Sequence, residues 1–178
     1  PSSFREINLY LCRMEKNERR EIVLRKLEEW NIQYKMYEHP PLPTIELALE
    51  YWKNIDSTHC KNLFFRNHKG NKHYLVIFEC HKTLQIHQLE KMLGQGKLSF
   101  ASEQRMEKYI GTTPGSVSLF GLVNDPERQV KLFLDKELMN TEKISFHPND
   151  NTASVVISNA DFKKFLELWG GEWETLDI

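Results

Sequence analysis

Cys60-Lys61-Asn62-Leu63-Phe64-Phe65-Arg66 and His73-Tyr74-Leu75-Val76-Ile77-Phe78 are two apolar-rich runs separated by the turn-forming stretch Asn67-His68-Lys69-Gly70-Asn71. Runs of strand length around such a connection predict a β-hairpin. Strand alternation places Lys61, Leu63 and Phe65 on one face of the first run and Asn62, Phe64 and Arg66 on the other. The middle of the chain is therefore sheet, and the flanking segments must be fitted around it.

Upstream, Val23, Leu24, Leu27 and Trp30 fall on one stripe of a helix that Asn17 can cap and Asn31 can stop. Ile32 to Tyr37 alternates as a short strand, and the proline cluster of His39-Pro40-Pro41-Leu42-Pro43 forbids regular structure. Thr44 can cap a second helix through about Lys53. Downstream, Leu84 to Leu93 and Ser102 to Ile110 have helical spacing and end at Gly94 and Gly111, with Lys97 to Ala101 extended between them. Three strand-like runs follow, Ser116 to Val123, Val130 to Leu134 and Thr152 to Ser158, and a last helix opens at Ser158 with Asp161 in capping-box spacing and stops at Gly170-Gly171. This order does not alternate regularly, which predicts an α+β fold: one domain with a mixed sheet surrounded by helices rather than a doubly wound parallel sheet.

The chain has 178 residues, enough for one core without disulfides or metal. Lys plus Arg number 24 against 25 Asp plus Glu, so no global field draws the protein onto nucleic acid and any such contact must be local. The longest apolar run, Tyr74 to Phe78, cannot span a bilayer. Three unpatterned cysteines, Cys12, Cys60 and Cys80, and an N-terminus without a cleavage-site pattern predict a cytoplasmic protein.

The glycine-rich phosphate loops, HExxH and GxSxG are absent, and the seven histidines lack regular metal-ligand spacing, so no cofactor or metal is expected. Lys61 heads an apolar row. It either lays its stem on the core and carries its charge to water or holds a cation at the mouth of a pocket, where it can orient an anionic or carbonyl-bearing substrate. Gly111-Thr112-Thr113-Pro114-Gly115-Ser116-Val117-Ser118 reads as a helix stop plus a turn, or as a loop that brings backbone N–H groups close to a ligand. His147-Pro148-Asn149-Asp150-Asn151-Thr152 reads as a turn.

In order, Glu38-His39-Pro40-Pro41 with Thr44, Lys61-Asn62-Leu63-Phe64, Leu98-Ser99-Phe100-Ala101, Thr113-Pro114-Gly115-Ser116-Val117, Asn124-Asp125 and His147 through Thr152 resemble the editing domains related to the insertion domain of bacterial prolyl-tRNA synthetase (YbaK-like). Among these, the chain is most similar to the freestanding Ala-tRNA(Pro) deacylases, the Lys-Asn-Leu-Phe form resembling the alanine-specific branch. The likeness runs from about Asn17 to Trp169. It implies a metal-free hydrolase on a partly barrel-like mixed sheet, with residues 17–178 as the editing domain, 1–16 as an extension of which residues 1–13 are dispensable, the acceptor end of an aminoacylated tRNA as partner and prolyl-tRNA synthetase as a further one. The family's key lysine maps to Lys61 and its following asparagine to Asn62. Its GxxxP loop maps to Gly115, Ser116, Val117, Ser118 and Leu119, where Leu119 departs from the proline, and its histidine maps to His147. Lys61 and Gly115 are then catalytic and the remainder bind substrate. A cysteine-specific or other small-amino-acid deacylase, and a non-catalytic binding module motivated by Leu119, stay open as alternatives.

Overall fold

Tyr74 to Phe78 are all buried, which a strand permits only when both faces of its sheet are covered. In the computed structural model, which describes residues 4–42 and 44–178 with side chains from residue 17 onward, this run is the centre of the molecule. The strands are β1 (Tyr34–Glu38), β2 (Thr58–Arg66), β3 (His73–Glu79), β4 (Ser99–Phe100), β5 (Val130–Asp135), β6 (Lys143–Phe146), β7 (Ala153–Ser158) and β8 (Trp173–Leu176). The helices are α1 (Phe4–Glu29), α2 (Ile45–Trp52), α3 (Ile86–Leu93), α4 (Glu103–Ile110) and α5 (Asn159–Trp169).

The strands form one mixed sheet in the order β1-β7-β6-β2-β3-β5-β8, with β4 added to β2. The β2–β3 hairpin is antiparallel with Lys61 opposite Phe78, whereas β2–β6, β3–β5 and β5–β8 are parallel. The α+β reading holds, and the barrel-like element of the expectation is corrected: the path runs from β1 to β8 and those two ends do not pair.

Leu75 and Ile77 face a core completed by Val23 and Leu27 of α1 and Phe162, Phe165 and Trp169 of α5. Tyr74, Val76 and Phe78 face a smaller core with Phe65, Leu89 of α3 and Phe133. At roughly 1.5–3 kcal/mol for each large apolar side chain buried, these two layers are the main favourable term in folding.

Thr44, Ser102 and Ser158 cap α2, α4 and α5 through hydrogen bonds from Leu47, Arg105 and Asp161 N–H, and Gly94, Gly111 and Gly170 close α3, α4 and α5 in the left-handed conformation, all as expected. Two readings are corrected, and two strands escape the sequence reading. Asn17 caps nothing, because α1 runs unbroken through it. The side chains of residues 1–16, Cys12 included, lie outside the described residues. The run Ser116 to Val123 is not a strand but an approach to a 3₁₀ helix over Leu119–Asn124, capped by the Ser118 hydroxyl. β6 and β8, four residues each, carry too short a pattern to be legible alone.

Candidate active site

Along one edge β2 pairs with β3 throughout, but along the other it meets β6 only at Thr58 and His59 and β4 only at Phe65 and Arg66. Residues 60–63 are thus an unpaired edge in mid-sheet. The carbonyl of His59 accepts from Cys80 N–H on the β3 side and that of Phe64 from Ala101 N–H on the other, so strand alternation turns the main-chain groups of Cys60 and Asn62 toward the gap. A cavity of about 450 Å³ occupies this gap. Its floor is Cys60 to Phe64, its walls are α2 and the Pro114–Val117 loop, and His147, Phe100 and Met106 complete it.

Of the expected residues, the fold brings Lys61, Asn62, Gly115, Val117 and His147 together around this cavity. Ser116, Ser118 and Leu119 lie behind it. Ser116 is buried, Ser118 spends its hydroxyl on Phe120 N–H at 3.1 Å, and Leu119 is wholly buried in the larger core. As the first residue of the 3₁₀ helix Leu119 occupies a packing position, so its difference from proline is read as core filling and not as a change in the cavity wall.

Lys61 lays its stem across Phe78, with Nζ 5.8 Å from the ring centroid, and donates to the Lys82 carbonyl at 3.1 Å. The stem is on the core, and the ammonium sits at the cavity's end with donors to spare. The turn that supplies the Lys82 carbonyl is pinned by buried Asp135, which accepts from Lys82 Nζ and Glu79 N–H. Asn62 donates weakly to the Cys60 carbonyl at 3.4 Å, and its Oδ1 is buried without a partner among the described residues. An acceptor so placed costs about 1–3 kcal/mol until something donates to it.

Thr113 to Ser116 form a β-turn closed by the Ser116 N–H to Thr113 carbonyl bond at 3.0 Å. Proline second and a glycine at φ +83° third make it type II. Neither Gly115 nor Val117 donates its N–H to any described residue. A Cβ on Gly115 would meet only Asn151 Nδ2, at 3.8 Å, so the glycine is required by its backbone angle and not by crowding.

His147 Nδ1 lies 2.8 Å from the Ala153 carbonyl. A carbonyl only accepts, so Nδ1 carries the proton and Nε2 is the acceptor. Burial lowers the pKa and nearby His39 adds to the effect, keeping the ring neutral. The turn that carries His147 is held from α1: Arg20 pairs with buried Asp150 at 3.0 Å and reaches Thr152 Oγ1 and Glu38. Trp52 stacks on His59 at 4.5 Å and forms a flat wall, its Nε1 without a partner. Trp52, Phe100, Met106 and the Arg20 tether escaped the sequence reading. Only Phe100, inside the Leu98–Ala101 motif, carried a signal that could have found it.

Cys60 lines the cavity, yet burial pushes its thiol well above the ordinary value, and Cys80 is pushed up to about 12 by burial and Glu79. Neither is a thiolate at neutral pH, and neither can serve as nucleophile. Near Cys80, Glu79 and His81 complete the one group of three metal-type ligands among the described residues, but Glu79 Oε1 already takes the His81 Nδ1 hydrogen at 2.6 Å.

The arrangement can polarise a carbonyl with backbone N–H groups and an ammonium while an orphan amide oxygen and a neutral histidine accept hydrogens. Comparisons with known proteins place the chain in a family. Residues 39–165 match the model of the aminoacyl-tRNA editing domain. The chain is 38% identical over 160 residues to the prolyl-tRNA editing protein ProX of Acetoanaerobium sticklandii, covering 89% of this chain and 97% of that one. It is 31% identical over 143 residues to the prolyl-tRNA synthetase associated domain-containing protein 1 of Mus musculus, covering 78% and 84%. A crystal structure of a proposed trans-editing enzyme for prolyl tRNA synthetase superposes with TM-score 0.67 over 90% of this chain and 97% of that one, a likeness of fold at 21% identity. With a model match over most of its length and a relative this similar, the chain belongs to the aminoacyl-tRNA editing domain family.

Proposed function

We propose that this protein is a trans-editing hydrolase of the cytoplasm that removes alanine from mischarged Ala-tRNA(Pro), with residues 17–178 as the editing domain and residues 1–16 as an extension. The observation that carries the reading is the unpaired edge of β2, where Lys61, Asn62, the Gly115 turn and His147 meet in one small cavity. The names of the relatives support prolyl-tRNA editing, and the likeness of the Lys61–Phe64 motif supports alanine.

The acceptor end presents an aminoacyl ester. Water adds to its carbonyl and gives up a proton, and the carbonyl oxygen becomes an oxyanion. As it collapses, the C–O bond to the ribose breaks and the ribose oxygen takes the proton back, so that free alanine leaves with the tRNA intact. The N–H groups of Gly115 and Val117, unclaimed by any described residue, meet the oxyanion, and the remaining donors of Lys61 add charge. Asn62 Oδ1 accepts from the substrate's α-ammonium, and His147 Nε2 accepts from a ribose hydroxyl, the group that the family resemblance implicates in assisting the water. Proline carries two more ring carbons than alanine. Against the flat wall of Trp52, with Ile45 and Ala48, it is excluded by size, which supplies the discrimination that synthetase binding of a smaller amino acid cannot.

Deacylation of Ala-, Cys-, Ser- and Pro-tRNA(Pro) measured side by side tests this. Alanine should turn over fastest and proline not measurably, and Lys61→Ala should cost one to two decades in rate, from roughly 1.5–3 kcal/mol for a hydrogen bond to charge. Preference for cysteine would reassign the pocket, and no turnover of any substrate would leave a binding module.

A further inference from the structure

Phe100 is 61% exposed, the largest exposure of any large apolar side chain among the described residues. It is also firmly placed. β4 pairs it with Phe65 and Ser99 with Arg66, and the next residue, Ala101, donates its N–H to the Phe64 carbonyl at 2.9 Å. One face of its ring lies on buried Phe65, with centroids 4.8 Å apart and planes 26° from parallel, and the ring borders the cavity. The strand partner of Phe100 is four residues beyond Lys61 on β2, about 13 Å at 3.3 Å per residue. That spacing is comparable to the reach of one aminoacylated nucleotide, whose ribose lies between its acyl group and its base.

Beyond Phe100 the surface carries unneutralised cations. Arg66, Lys97, Arg105 and Lys108 stand in no ion pair among the described residues. Arg66, Arg105 and Lys108 cluster around His73, and Arg66 is the strand partner of Ser99. A rigid aromatic face with cations near it that no carboxylate among the described residues neutralises, although Arg66 and Arg105 also donate to the Asn67, His68 and Gly70 carbonyls, suits single-stranded nucleic acid, which is held by stacking and phosphate contact without reading sequence.

Resting on the reading of the cavity as an aminoacyl-ester site, we propose that Phe100 is a stacking platform for the 3′-terminal base of the tRNA, with the cations beyond it taking the phosphates that precede that base. Free Phe65 and Phe100 rings could have packed entirely inward. The strand pairing instead holds the outer face of Phe100 toward solvent, which is where a base must arrive if its ribose ester lies over Lys61 and Gly115.

The test is a binding cycle that involves no turnover. Dissociation constants are measured by fluorescence anisotropy for uncharged proline tRNA with an intact 3′-terminal adenosine and for the same tRNA with an abasic 3′-terminal ribose, each against wild type, Phe100→Ala and Phe100→Trp. Removing the base should weaken wild-type binding roughly ten- to hundredfold, Phe100→Ala should weaken binding of intact tRNA by the same factor, and the two losses should not multiply. Phe100→Trp should bind intact tRNA at least as well as wild type. Losses that multiply, or an abasic end that binds as tightly as an intact one, overturn the platform. The abasic comparison on wild type and Phe100→Trp decides even if Phe100→Ala does not fold. A protein that deacylates tRNA while the losses multiply keeps its activity and loses this inference, whereas a collapsed cycle in a protein without turnover keeps the platform and removes the hydrolase.

Discussion

Asn62 and Asn67 sit five residues apart, one inside β2 and one just beyond its end, and their surroundings are opposite. Asn67 is wholly buried and fully bonded: its Oδ1 accepts from Asn71 and Lys72 N–H, both at 3.0 Å, and its Nδ2 donates to Asn71 Oδ1 at 2.7 Å. It closes the β2–β3 connection. Asn62 has one weak bond at 3.4 Å and a buried oxygen with no donor. The hairpin end also pairs its other polar groups, since Arg105 reaches the Gly70 carbonyl and His73 Nε2. The cavity end leaves Asn62 Oδ1, Trp52 Nε1 and the Gly115 N–H without partners among the described residues. Polar groups satisfied within the fold specify it, whereas groups held in place and left unsatisfied are available to a ligand.

The sharpest way to break this contrast is Gly115→Val. A β-branched residue cannot hold φ +83°, so the turn must change type and turn the Gly115 N–H aside. Losing one aimed oxyanion donor costs roughly 2.7–4 kcal/mol, two to three decades in deacylation rate. Full activity in a folded variant would remove the oxyanion role from this loop.

The hairpin end can be stressed through His73, where the expected effect is on stability. Burial and the neighbouring Arg105 lower its pKa from 6.5 to about 4. Between these values the unfolded chain binds the extra proton, so stability is complete above pH 6.5 and is lost as pH falls to about 4, by about 3 kcal/mol at 1.36 kcal/mol per unit. His59 and His147 are lowered too and add in the same sense. Urea unfolding across this range should show the loss, and His73→Gln should flatten it. An unchanged slope in that variant would place the pH sensitivity elsewhere.

The two asparagines themselves give the next test. Asn67→Ala leaves the N–H groups of Asn71 and Lys72 without an acceptor and should destabilise by about 1–3 kcal/mol, with deacylation per folded molecule retained. Asn62→Ala removes an unpartnered acceptor, so its melting temperature should hold while turnover falls by one to two decades. The reverse pattern, a stable Asn67→Ala or an unstable but active Asn62→Ala, would undo the distinction. The smallest expected effect is from exhaustive chelation, which should leave deacylation unchanged. A loss restored by zinc would bring Glu79, Cys80 and His81 into the mechanism.

Read from the sequence alone, the hairpin, the caps at Thr44, Ser102 and Ser158 and the stops at Gly94, Gly111 and Gly170 were legible, because each depends on residues within a few positions of one another. The order of motifs likewise singled out Lys61, Asn62, Gly115 and His147 as a group. What one chain could not disclose is where β2 stops pairing. That gap exists because β6 meets its first two residues and β4 its last two, partners that lie more than thirty residues away along the chain. Nor could it show that Leu119 fills the core, that Trp52 stands as a wall on His59, or that Arg20 holds the His147 turn from across the molecule. Local sequence determines which backbone conformations are cheap. Which donors and acceptors remain unpaired is decided only when distant segments have been packed, and it is those unpaired groups that make the candidate site.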